Sequence, residues 1–166
     1  MKRFLMVLLI CVMVGALNIP LVGAITEKQE KAIVGNCSGI KEQLKTLQKD
    51  DARTRVHLGG RYETILTKFM TPLNMRLLEN NMSSAELVEN QNDFADAKNL
   101  FNNDYINYQQ GLEELASIDC KNEPAAFYEK LDKVRQKRKT VQQDVLKLRS
   151  LISKHVRLVT ELRSKV

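Results

Sequence analysis

From Phe127 onward, apolar side chains return every three or four positions: Phe127, Leu131, Val134, Val141, Val145, Leu148, Ile152, Val159, Leu162 and Val166. A four-three alternation sustained over about forty residues is a heptad seam, with Arg138 and His155 occupying the two seam positions that are not apolar. The spacing predicts a helix over about 124–165. Leu87, Phe94, Phe101, Tyr105, Tyr108, Leu112 and Leu115 repeat the pattern and predict a helix over about 83–118, with Gln91 and Lys98 at its weak points. Ile33, Cys37, Ile40, Leu44 and Leu47 begin a third seam, which resumes at Leu58, Tyr62, Ile65, Phe69 and Leu73. It predicts a helix over about 26–78. The polar stretch KDDARTR interrupts it with the offset of an eleven-residue repeat, so a local loosening is expected there.

Turn signals fall between these segments. ENNMSSAE (Glu79 to Glu86) places Ser83 three residues before Glu86, a capping-box spacing for the middle helix. Asn122 and Pro124 in DCKNEP suit the first turn of the last one. Within the first helix, Gly59 and Gly60 each cost about 1 kcal/mol relative to alanine. Pro72 removes a backbone donor and biases Thr71 away from helical geometry, so a kink or break is expected near residue 71. No run reads as a strand. The class is all-α.

Counting from a first turn near Asn81, Cys37 lies 44 residues upstream and Cys120 39 downstream. At 1.5 Å per residue these are rises of roughly 66 and 58 Å. The segment from Pro124 to Val166 has a similar length. The expected architecture is an elongated, antiparallel, coiled-coil-like three-helix bundle in up-down-up order, with both thiols at one end. Charge fits such an order. Residues 25–78 carry ten basic and six acidic groups, 79–123 two and ten, and 124–166 twelve and four. An acidic rod between two basic ones is favourable, although each exposed pair contributes only a few tenths of a kcal/mol.

The first 24 residues resemble an export signal: Lys2 and Arg3, then an apolar run from Phe4 to Leu17, then Val22 and Ala24 at the small-residue positions of a cleavage site. The rival reading is an uncleaved anchor, since the apolar stretch approaches the roughly 20 residues that cross a bilayer. Asn18 and Pro20 favour cleavage. Cys11 follows Ile10 rather than a small residue, which disfavours lipid attachment, and leaves with the signal. The expected organisation is a signal peptide, 1–24, and a single domain, 25–166. Two cysteines then remain in a chain bound for an oxidising compartment, the arithmetic of one disulfide, Cys37 to Cys120; two buried free thiols are the alternative. Closing that loop would restrict the unfolded chain by roughly 4 kcal/mol.

No catalytic constellation emerges. His57 and His155 fall about 16 Å apart along the expected rod, too far to share a metal. The acids Glu113, Glu114, Asp93 and Asp96 read as a solvated face, and there is neither a Gly-rich phosphate loop nor a Gly-flanked serine. The sequence therefore points away from an enzyme and calls for no cofactor. Lys133, Arg135, Lys137, Arg138 and Lys139 form the sharpest basic cluster, a candidate patch for an anionic surface or polymer, or simply the counterpart of the acidic middle helix. It lacks the aromatic rings that nucleic-acid strands stack on. Leu151, Ile152, Leu158 and Val159, flanked by Leu146 and Val156, make an apolar stripe wider than one seam needs: core toward two neighbours, or a self-association face.

The stretches from Asp51 to Asn81 and from Ala116 to Leu131 resemble small exported helical proteins of host-attached, reduced-genome bacteria. Those share a signal peptide, an early cysteine, a second cysteine in an Asp-Cys turn before a helix-starting Pro, and a basic heptad tail. The resemblance implies the Cys37–Cys120 pairing and an exterior location. It implies no activity. The expected function is that of an exported, disulfide-clamped interaction or structural protein of the cell envelope or exterior, with a protein partner or a second copy. An extracytoplasmic holdase chaperone is the alternative, or a membrane-tethered coiled-coil subunit if the signal is retained.

Overall fold

The computed structural model describes residues 25–82 and 84–164. The expected signal segment, Ser83 and the last two residues lie outside the described residues. Helix α1 spans Glu27–Thr64, a π-helical turn covers Ile65–Met70, and α2 (Thr71–Glu79) continues the same rod; α3 spans Ala85–Ser117 and α4 Pro124–Arg163. Every element among the described residues is helical. The three rods pack on one another, with α3 and α4 in contact along their length and α1 held mainly against α3.

Local chemistry sets the ends. Thr26 caps α1 with a full capping box, its hydroxyl accepting from the Gln29 amide while Gln29 returns a bond to the Thr26 amide. The cap of α3 is Ser84, one residue later than the spacing predicts, and its hydroxyl accepts from the Leu87 amide. Pro124 starts α4, where its missing N–H leaves no bond unmade.

The helical rod runs on through Pro72, near the kink or break expected at residue 71, and the irregularity there is a π turn. In Ile65–Met70 the backbone widens to π spacing, so that the Thr71 amide reaches the Leu66 carbonyl five residues back. A wider turn accommodates a residue that cannot close an ordinary helical hydrogen bond. It also inserts one residue into the repeat, rotating everything after it. Met70 accordingly fills the core position that the periodicity assigns to Phe69, and Phe69 is 63% exposed. KDDARTR is regular α-helix; the one non-helical backbone pair within α1 lies instead at Asn36, φ −113° and ψ 15°.

The core follows the predicted seams elsewhere. Phe94, Phe101, Tyr105, Tyr108, Leu112 and Leu115 of α3 are buried against Tyr62 and Met70 on one side, and against Phe127, Val134, Val141 and Leu148 on the other. Tyr62 meets Phe101 edge-on, with ring centroids 5.5 Å apart and planes at 88°. A smaller cluster of Leu77, Leu87 and Leu158 is separate. Gly111 lets α3 and α4 approach, since a Cβ there would stand 3.2 Å from a Val134 methyl.

Candidate interaction groove

Cys37 and Cys120 sit at disulfide-bonding distance with Cα atoms 5.6 Å apart, and both are buried. The turn around Cys120 is built by its neighbour. Asp119 accepts from the Lys121 and Asn122 amides through Oδ1, at 2.9 and 3.4 Å, and from the Asn122 side chain through Oδ2 at 2.7 Å. These bonds hold its carboxyl below the usual carboxylate range. Lys41 of α1 donates to the carbonyls of Ala116 and Ile118, satisfying the end of α3 with a cation where the helix dipole is negative.

Further along, the polar interruption of the first seam becomes a junction of three helices. Tyr108 of α3 donates its hydroxyl to Asp51 Oδ2 at 2.7 Å, and Arg138 of α4 approaches Asp51 Oδ1 at 3.6 Å. Arg55 lies over the Tyr105 ring, 5.4 Å from its centroid. Burial and the bond to Asp51 both push the Tyr108 hydroxyl well above its ordinary pKa. Lys98 pairs with Glu63 between α3 and α1, and Lys130 with Glu114 between α4 and α3. Gln91 donates to Thr71 at 3.1 Å and accepts from Asn74 at 2.7 Å. The weak points of the α3 seam thus bind polar groups of the first rod.

The basic cluster of α4 is largely occupied within the chain. Lys133 pairs with Glu129, Lys137 donates to the Asn107 carbonyl at 3.1 Å, and Arg138 is the partner of Asp51. Arg135 and Lys139 form no ion pair among the described residues. The five do not make one free patch. Nor is the apolar stripe a free face. Leu151 and Leu158 are 4% and 6% exposed, in the main core and the small cluster respectively, because α4 turns them toward α3 and α2. Ile152 and Val159 are half-buried, along a hollow.

That hollow is one of two along the seam between the first rod and α4, where the two helices stand apart. The first, about 420 Å³, has Tyr105, Tyr108 and Phe101 of α3 as its floor, Arg55 and Leu58 on one wall and Val141, Val145 and Leu146 on the other. The second, about 540 Å³, lies between Ile65, Phe69, Pro72 and Leu73 on one wall and Ile152, Val156 and Val159 on the other. Tyr62 lies between them in sequence, with Arg149 near enough that its charge lowers the phenol's pKa against the burial that raises it. Phe69, Leu146 and Val156, exposed by 63, 62 and 59%, stand on these walls. Other exposed apolar side chains, Val56 and Leu78 among them, lie away from the two hollows; scattered exposure of that kind is ordinary. The periodicity hides this groove, because Phe69 reads as core.

Two ionisable side chains are buried in α4. Asp144, its Oδ2 without a partner, is pushed up to about 6 by burial and by the neighbouring charge of Asp104 on α3. Burial lowers His155, whose Nδ1 is unpartnered. His57 is exposed on α1. Among the described residues no group of three or more His, Cys, Asp and Glu side chains could hold a metal ion, and no helix is long and apolar enough to cross a membrane. Comparison with protein-family models, with curated proteins and with solved structures finds no match to this chain.

Proposed function

We propose that the protein is a non-catalytic, exported interaction protein, an up-down-up three-helix rod clamped at one end by Cys37–Cys120, which binds a protein partner in the groove between its first rod and α4. The carrying observation is the alignment of two apolar hollows along one seam, with Phe69, Leu146 and Val156 exposed on their walls. The order of the rods is supported by the pairings of α1 and α2 with α3, which run Lys41 to Ala116, Asp51 to Tyr108, Glu63 to Lys98 and Asn74 to Gln91. A buried cysteine pair at bonding distance suits an oxidising compartment, in keeping with the export-like first 24 residues. Basic side chains of α4 that are spent on Glu129, Asn107 and Asp51 weigh against a broad anionic surface or polymer as the ligand.

A photoreactive phenylalanine analogue at position 69, compared with one at the exposed Ile106 of α3 outside the groove, tests the reading in the producing cells. A discrete cross-linked product specific to position 69 is expected. Equal labelling from both positions, or none from position 69, would refute it. The exposed apolar groove would also suit a holdase, and suppression of client aggregation by the purified protein, lost in Val156→Glu, would favour that role.

A further inference from the structure

The groove carries a chemical signature that narrows its occupant. Arg55, Lys68 and Arg76 of the first rod line the two hollows, and Arg149, exposed on α4, falls in sequence between the α4 residues that wall the first hollow and those that wall the second. None of these four has a carboxylate at ion-pair distance among the described residues. Three cations do pair across helices, Lys98 with Glu63, Lys130 with Glu114 and, on the groove wall itself, Arg138 with Asp51, while others outside the groove, Arg135 and Lys139 among them, form no ion pair among the described residues. Asp51 is the one acid on the groove walls, and Tyr108 and Arg138 already engage it. An apolar floor is therefore edged by cations that lack carboxylate partners among the described residues, although Arg55 lies over the Tyr105 ring.

The walls repeat at helical spacing. Asp51, Arg55, Leu58, Ile65, Phe69 and Arg76 fall on one side of the first rod, and residues 138 to 160 supply the facing wall. At 1.5 Å per residue the walls are roughly 35 Å long, the length of a helix of about 22–24 residues. Because α1 is held mainly against α3, the seam has the geometry of a bundle short of one helix. The π turn contributes directly, since its extra residue moves Phe69 out of the core and onto the groove wall.

Resting on the groove reading above, we infer that the occupant is an acidic amphipathic helix of a partner protein, its apolar stripe on the hollows and its carboxylates on Arg55, Lys68, Arg76 and Arg149. A second copy fits poorly. The rods that edge the groove are basic, and the acidic α3 turns its seam into the core while Val88, Leu100 and Ile106 stay exposed on it, so two grooves brought together would set cation against cation. A concave, two-walled seam likewise suits a helix better than a flat lipid surface.

The test uses the purified protein with its cysteine pair oxidised and a fluorescent 24-residue helical peptide carrying Leu and Ile along one seam and Glu on both flanks. Its twin has Lys on the flanks. Fluorescence anisotropy should show the Glu peptide binding at least tenfold tighter than the Lys peptide, weakening as salt rises, and tenfold or more weaker to Arg149→Glu and to Phe69→Ser. Both substitutions are at exposed positions, and unchanged far-ultraviolet circular dichroism would verify their folds. No binding of the Glu peptide, or equal binding of the twin, overturns the inference. So does dimerisation lost in Val156→Glu, which would assign the groove to a second copy, or binding to phosphatidylglycerol vesicles lost in Arg149→Glu. If position 69 cross-links a partner whose captured segment is not acidic, the inference fails while the groove reading stands.

Discussion

Tyr108 donates its phenolic hydrogen to Asp51 at 2.7 Å, joining the middle helix to the first rod at the point where the apolar seam of that rod is interrupted. A neutral donor on a carboxylate in a half-buried setting contributes about 1.5–3 kcal/mol. Tyr108→Phe should lower the unfolding free energy in urea by about that amount. Arg138→Gln, which removes a longer and more exposed contact, should cost under about 1 kcal/mol. A double-mutant cycle should show coupling between positions 51 and 108, and strictly additive losses would refute the junction.

The π turn makes a prediction opposite to that of the heptad pattern. Met70→Ala should cost about 2–4 kcal/mol because it empties a fully buried site. Phe69→Ser, at an exposed site, should cost less than about 0.5 kcal/mol. A larger loss at Phe69 than at Met70 in chemical denaturation would return the rod to the uninterrupted register.

Most of α3 was legible from periodicity, because an unbroken α-helix keeps each seam residue on the buried face from Leu87 to Leu115. Phe69 was not, because an inserted residue leaves no mark in an apolar pattern; only Pro72 hints at it. The gap at Asp51 reads as weakness in one helix and becomes a polar junction only when Tyr108 and Arg138 arrive from the other two. The stripe through Leu151 and Leu158 left two readings open, and its core reading holds for those two residues; periodicity shows that a face is apolar but not how many neighbours it meets. Gly111 gives no signal at all until Val134 is seen against it.

Asp144 and His155 should give opposing pH dependences. The folded state holds the Asp144 proton up to about pH 6, whereas an unfolded aspartate releases it near 4. Its contribution is therefore complete below about pH 4 and is lost as pH rises through 6. Burial lowers the His155 pKa, so its contribution is complete above 6.5 and is lost as pH falls below that value. Asp144→Asn should stabilise the protein at pH 7.5 by about 1–2 kcal/mol, discounted for solvent near the pair. The same variant should expose the loss below pH 6.5 due to His155. Thermal melts from pH 4 to 8 would show it, and unchanged pH profiles would contradict it.

Reduction of the Cys37–Cys120 pair should lower the unfolding free energy by roughly 4 kcal/mol, since the bond closes a loop with a sequence separation of 83. Cys37→Ser should reproduce the loss without added reductant. Two thiols reacting in the native, unreduced protein would show that the clamp is absent.

The central claim, an open apolar groove between the first rod and α4, is tested most directly by maleimide labelling of single added cysteines in the oxidised protein. Phe69→Cys, Leu146→Cys and Val156→Cys should react at rates within about tenfold of an unfolded peptide, while Leu151→Cys stays protected by a factor set by unfolding. Protection of positions 69 and 156 together with rapid labelling at 151 would mean that the helices pack the other way round, and that no such groove exists.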